Sequence, residues 1–354
     1  MRRGFRAALL GFALIATVVS GQAAAFAQES TPAASPMASP TSACAETTRN
    51  TMEKVARTWH EDVFAAKDPT LLEPYLSPDA VRHSVVFPEA VGSAAVERVL
   101  TNVLTGFPDA RGKVDFVLVD APYAAASWTV SGTNTGEFEG MAATGRQATW
   151  HGLDIYRFEC GKVVESWTEV DQLGRLQQLG LLPMPQATPV AATPAALAPA
   201  ASPVACGTTS ADQGATAVQL MWDDVWSAGN LDALNDIVTP NVIHHWAIGP
   251  DSIGPAATAD RIAGLRAAFP DLTITYGPLI QDGDYVAATW VIKGTHKGAY
   301  LGIAPTGNPI DATGINIFRF ECGRIAEVWS EMDAITMLQQ MGAMPAAPEA
   351  TPGA

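Results

Sequence analysis

Basic residues are scarce in this 354-residue chain: 21 Lys and Arg stand against 36 Asp and Glu, a formal net charge of −15. A surface of that sign repels phosphate, so neither nucleic acid nor an anionic membrane is an expected partner. Cysteine is limited to four residues without C-x-x-C spacing, which speaks against a structural zinc site or a redox dithiol. The six histidines offer no pair at ligand spacing beyond the adjacent His244 and His245, which on a strand point to opposite faces. No metal and no cofactor are expected. After the first 27 residues, no apolar run approaches the roughly eighteen residues of a membrane span.

The chain opens on an export signal. Arg2, Arg3 and Arg6 precede an apolar stretch at 7–19, and Ala25-Phe26-Ala27 offers a small-residue cleavage site. Residues 1–27 therefore read as a signal peptide, and the mature chain as a secreted, extracytoplasmic protein with no membrane association after cleavage. Arg2-Arg3-Gly4-Phe5 is similar to a twin-arginine signal, so the general secretory and twin-arginine routes both stay open.

An internal repeat organises the rest. At an offset of 162 residues and without a gap, His83 meets His245, Phe107-Pro108-Asp109 meets Phe269-Pro270-Asp271, and Trp128 meets Trp290. Arg157-Phe158-Glu159-Cys160-Gly161 then meets Arg319-Phe320-Glu321-Cys322-Gly323, and Glu165, Trp167, Glu169 and Asp171 meet Glu327, Trp329, Glu331 and Asp333. Residues 28–43 and 184–205 fall outside the repeat and are rich in Ala, Pro, Ser and Thr, as is the tail 346–354; these read as disordered linkers and tail. The two domains are expected at 44–183 and 206–345. Four cysteines in an exported protein allow three disulfide connectivities. Only Cys44–Cys160 with Cys206–Cys322 gives both copies the same geometry.

Within copy one, apolar residues at helical spacing predict helices over 51–66 and 94–104, separated by a turn-rich segment at Ser77-Pro78-Asp79. Strands are expected at 113–119, 124–133, 149–159 and 162–170, the last two joined by a Cys160-Gly161 hairpin turn, with a closing helix at 173–179. Helices first and an antiparallel meander after them is an α+β order.

These residues resemble a known family. Trp290 to Gly302 reads W-x-x-x-G-T-H-x-G-x-x-x-G and leads into Pro305-Thr306-Gly307, Ile317-Phe318-Arg319-Phe320 and Glu327-x-Trp329-x-x-x-Asp333. The string is similar to the SnoaL-like polyketide cyclase or ester cyclase family, within the nuclear transport factor 2-like superfamily. The resemblance implies two tandem cone-shaped domains, each a curved antiparallel sheet wrapped over N-terminal helices around an apolar pocket. It further implies acid/base catalysis by an Asp one residue after the Glu-x-Trp position, assisted by a His on the neighbouring strand. Thr168 and Ser330 stand at the acid position, and Asp154 and Asn316 at that of the His, so the family's cyclase mechanism does not transfer as it stands.

The candidate catalytic residues are Asp154, His83 and Glu169 in copy one and His245, Glu331 and Asp333 in copy two. Strand alternation puts Glu165, Trp167, Glu169 and Asp171 on one face and Ser166 and Thr168 on the other. Asp171 and Asp333 also suit the N-cap of the last helix. Pocket walls are expected from Trp128, Tyr156, Trp167, Thr168, Trp290, Asn316, Phe318, Trp329 and Ser330, a lining suited to a small apolar molecule. The leading expectation is a secreted binder of such a molecule, with cofactor-free cyclase, isomerase or hydrolase chemistry if it is an enzyme. The alternatives are a non-catalytic carrier module, or a structural unit in which the two copies pack as an intramolecular pseudo-dimer.

Overall fold

The computed structural model describes residues 44, 46–84, 89–182 and 207–344. The expected signal peptide, both linkers, Cys206 and the C-terminal tail lie outside the described residues.

Copy one begins with α1 (Arg49–Arg57), whose N-cap Thr48 accepts a hydrogen bond from the Thr51 amide and whose inner face buries Met52, Val55 and Ala56. The helix expected to run unbroken to residue 66 instead passes through a π-turn, Thr58–Asp62, before α2 (Val63–Ala66). A π-turn adds a residue to the turn and so rotates the helical residues beyond it. Here Thr58, Trp59 and His60 are all buried. Strands β1 (Leu76–Ser84) and β2 (Ala90–Val91) lead to α3 (Ser93–Gly106). Then come β3 (Arg111–Asp120), β4 (Tyr123–Thr133), β5 (Gln147–Glu159), β6 (Lys162–Val170) and α4 (Gln172–Gln178).

Copy two repeats the plan. Its first helix, α5 (Ala211–Gln219), starts on a Ser210/Gln213 capping box and again runs into a π-segment, Leu220–Ala228. Next come α6 (Leu234–Ile237), β7 (Val238–His245), β8 (Ser252–Ile253) and α7 (Pro255–Ala268). The third strand of copy one is here divided into β9 (Thr273–Tyr276) and β10 (Ile280–Asp282), with Gly277 and Pro278 between them. The copy ends with β11 (Tyr285–Thr295), β12 (Pro309–Glu321), β13 (Arg324–Met332) and α8 (Ala334–Gln340).

The sheets run β2-β1-β6-β5-β4-β3 and β10-β11-β12-β13-β7-β8, with β9 on β11. Each is an α+β sheet, but not wholly antiparallel: β1 pairs β6 in parallel, as β7 does β13. Ser77-Pro78-Asp79, expected as a turn, lies inside β1, where its register on β6 slips between Leu76 and Val81. A bulge tolerates the proline because no ladder hydrogen bond is asked of it there.

One face of each sheet packs on its own helices, burying Trp59, Phe107, Trp150, Tyr156 and Phe158 in copy one and Trp222, Phe269 and Phe318 in copy two. The other faces meet each other: Leu118, Leu153 and Ile155 form one cluster with Ile280, Ile315 and Ile317. This is why β5 and β12 are nearly continuous runs of buried residues rather than alternating ones. Arg49 grips both carboxylate oxygens of Asp282, at 2.8 and 2.7 Å, and Asp282 also accepts the Val119 amide at 3.0 Å. Cys44 and Cys160 form a disulfide, and Cys322 is disulfide-bonded as well.

Candidate active site

On the helix-covered side of the copy-one sheet lies a cavity of about 50 Å³ whose walls include His60, Arg82, Trp128, Trp150, Thr168 and Arg175. Alternation along β5 turns Trp150, Gly152, Asp154, Tyr156 and Phe158 to this side, and the π-turn brings His60 over them. His60 Nε2 lies 2.7 Å from Asp154 Oδ2 and 3.1 Å from the Tyr156 hydroxyl, while that hydroxyl donates to Asp154 Oδ2 at 2.5 Å. All three side chains are buried. The His60 ring stacks on Trp128 with centroids 4.5 Å apart. Gly152 permits that approach, since a Cβ there would come within 2.1 Å of the Trp128 ring.

Burial alone would raise the Asp154 carboxyl, but the His60 imidazole, Arg82 and the Tyr156 hydroxyl outweigh it and hold the group at about 2. Tyr156 moves the other way, well above its usual value, through burial and the neighbouring carboxylate. Asp154 is therefore ionised near neutral pH and can only accept. His60 must then donate its Nε2 proton, which leaves Nδ1 as the bare nitrogen whenever the ring is neutral. That nitrogen is buried and has no partner among the described residues. Five donors on the walls share this condition: Arg82 Nε and Nη1, Trp128 Nε1, Thr168 Oγ1 and Arg175 Nε. The arrangement thus offers one oriented base facing an excess of unengaged donors.

Copy two has the same shape and none of this chemistry. Trp222 stands where His60 does, Asn316 for Asp154, Phe318 for Tyr156, His244 for Arg82 and Met337 for Arg175. Its cavity of about 60 Å³ is walled by Trp222, Trp226, Trp246, Trp290 and Tyr300. The Trp290 indole, whose counterpart lacks a partner in copy one, donates to Asn316 Oδ1 at 2.8 Å. His244 Nε2 sits 2.8 Å from Ser330 Oγ, and burial, then His245 and Arg261, depress its imidazole to about 3, so it stays neutral.

Of the candidate residues, Asp154, Trp128, Tyr156 and Thr168 surround the first cavity or the cluster behind it, and Trp290, Asn316, Phe318 and Ser330 are their counterparts in the second. His83, Trp167 and Glu169, with His245, Trp329 and Glu331, lie on the opposite face, toward the other copy. His83 sits between Glu89 and Glu165 at 3.1 and 3.0 Å and stacks on Trp167; His245 repeats this with Asp251, Glu327 and Trp329. Asp171 and Asp333 cap α4 and α8, accepting the amides of Gly174 and Thr336. The structure does not bring any of these to Asp154. His60 was missed because the helical reading stopped at its apolar members. Its spacing four residues after the buried Ala56 and four before the buried Phe64 was the available signal.

The model of the SnoaL-like polyketide cyclase family matches residues 54–179 and 216–341. Among solved structures, IdmH from Streptomyces antibioticus is 30% identical over 37% of this chain and 99% of its own, with a TM-score of 0.33. TsrD from Streptomyces laurentii is 24% identical over 38% and 98%, TM-score 0.36. A SnoaL-like polyketide cyclase from Agrobacterium tumefaciens is 24% identical over 35% and 95%, TM-score 0.31. No curated protein matches the chain in sequence.

Proposed function

The chain belongs to the SnoaL-like polyketide cyclase family, and from that premise we propose that its first copy catalyses proton transfer at the carbon beside a carbonyl group of a small, uncharged substrate. His60 Nδ1 takes the proton. The electron pair moves onto the carbonyl oxygen, and the enolate so formed faces Arg82, Trp128 Nε1 and Thr168 Oγ1. Charge balances at each stage: before transfer Asp154 offsets Arg82, and after it the imidazolium pairs with Asp154 and the enolate with Arg82. Asp154, with a carboxyl near 2, is too weak a base to take the proton itself and acts by holding His60 Nε2–H. The observation that carries the reading is the buried 2.7 Å His60–Asp154 contact with the opposite ring nitrogen free.

Family chemistry is rearranged rather than lost in this reading. Asp154 is the direct cross-strand partner of Thr168, the residue at the family's acid position. The carboxylate has crossed one rung of the ladder, and the imidazole comes from the helix. The enolate leads to ring closure or isomerisation according to what lies next to it. Copy two, with no acid–base pair among the described residues of its cavity, serves as a binding module for a neutral apolar molecule.

We further propose that the protein works outside the cytoplasm. The N-terminal signal and the Cys44–Cys160 disulfide both support an oxidising compartment. The described residues contain no helix long and apolar enough to cross a membrane.

The test is exchange of α-protons for deuterium, read by proton NMR across a panel of small ketones and β-dicarbonyl esters. The wild type accelerates exchange of panel members, and His60→Gln lowers that rate by about 10²–10⁴-fold. A panel exchanged equally by both proteins removes the assignment.

A further inference from the structure

Between the copies lies another cavity, of about 230 Å³, lined by His83, Trp167, Thr168 and Glu169 of copy one and by Thr313 and Asp333 of copy two. It is rich in acceptors. Glu169 is only 5% exposed; Thr313 hydrogen-bonds to its carboxylate, but Oε2 has no partner among the described residues. Asp333 is 9% exposed and uses Oδ1 to cap Thr336. Glu331 of β13 stands nearby, its carboxyl driven well above its usual range by burial first, then by Asp171 and Glu169. His83 stands beside them, its nitrogens already facing Glu89 and Glu165. Burial first, and then Asp333, drive the Glu169 carboxyl well above its usual range. It keeps its proton until a positive group arrives to replace it.

We propose that this interdomain cavity binds a small organic ammonium ion, with Glu169 and Asp333 as counter-charges and the Trp167 ring as its apolar wall. An aromatic face beside carboxylates suits an alkylammonium, which brings charge at one end and hydrocarbon at the other. The volume lies below the roughly 300–1,000 Å³ of drug-sized pockets, so the ion is small. The net charge of −15 draws cations and repels anions. On the other side of the interface, His151 stands where Thr313 does, and the corresponding cleft is larger, at about 1180 Å³.

Titration calorimetry of the full chain with n-butylammonium chloride at pH 5.5, against n-butanol and potassium chloride, tests this. Saturable binding is expected for butylammonium alone. In buffers of different ionisation enthalpy about one proton is released per ion bound, and affinity rises with pH as the proton ceases to compete. Glu169→Gln, an isosteric change that removes the counter-charge, lowers affinity at least tenfold and abolishes the proton release. Asp333→Asn, which keeps a capping side chain, weakens binding severalfold. No saturable heat, equal binding of butanol or potassium, or an unchanged Glu169→Gln variant overturns the proposal.

Discussion

Replacing Asp154 by Asn probes the buried cluster through its dependence on pH. The carboxyl falls from 3.8 to about 2 on folding and is fully buried, so solvent does not screen the effect. At 1.36 kcal/mol per unit, its ionised form contributes about 2.5 kcal/mol to stability. A depressed folded-state value gives stability that is complete above the unfolded value and lost as pH falls through the folded one. The contribution is therefore whole above about pH 5, roughly halved near pH 3, and down to a few tenths of a kcal/mol at pH 2. Asp154→Asn keeps the shape and removes the titration. Urea unfolding monitored by tryptophan fluorescence, run on both proteins from pH 2 to 7, should show a gap that opens with rising pH along that curve. A gap that is constant with pH, or widest in acid, would refute the account of His60, Arg82 and Tyr156 as the source of the depression.

Other perturbations report on neighbouring parts of the argument. Tyr156→Phe removes a 2.5 Å donor from the carboxylate and should cost about 1.5–3 kcal/mol in the same assay, mostly above pH 4. Gly152→Ala and Gly314→Ala each drive a Cβ to 2.1 Å from a tryptophan ring and should cost about 1–3 kcal/mol apiece, seen as a lowered melting temperature. Ile155→Asp buries an unpaired carboxylate among Ile280, Ile315 and Ile317, and should separate the copies into a more extended particle by small-angle scattering. Opening the Cys44–Cys160 bridge, which closes a separation of 116 residues, should lower unfolding free energy by about 4–5 kcal/mol on the chain-entropy model.

Much of the architecture was legible in the sequence because repeats and alternation are local signals. The 162-residue offset marked two copies of one fold, and alternation along β6 put Thr168 and Glu169 on opposite faces. β1 was not legible: Pro78 and Asp79 carry turn chemistry, and only tertiary pairing with β6 makes a strand of them. The candidate site was half legible. Asp154 stood out because it occupies the position of the family's His, but its partner is 94 residues away, on a helix whose π-turn no periodicity announces. His83 and Glu169 fell on strands of the correct sheet but on its other face, because the burial of both faces hides which one bounds the cavity.

The most direct measurement on the central claim is the tautomer of His60, read from the ¹⁵N shifts of its two ring nitrogens in the uniformly labelled protein, assigned with His60→Gln. Nε2 protonated and Nδ1 bare, with an Nε2 proton moved far downfield that is lost in Asp154→Asn, is the expected result. A protonated Nδ1 with a bare Nε2 would contradict the claim, since the base facing the substrate would then be absent.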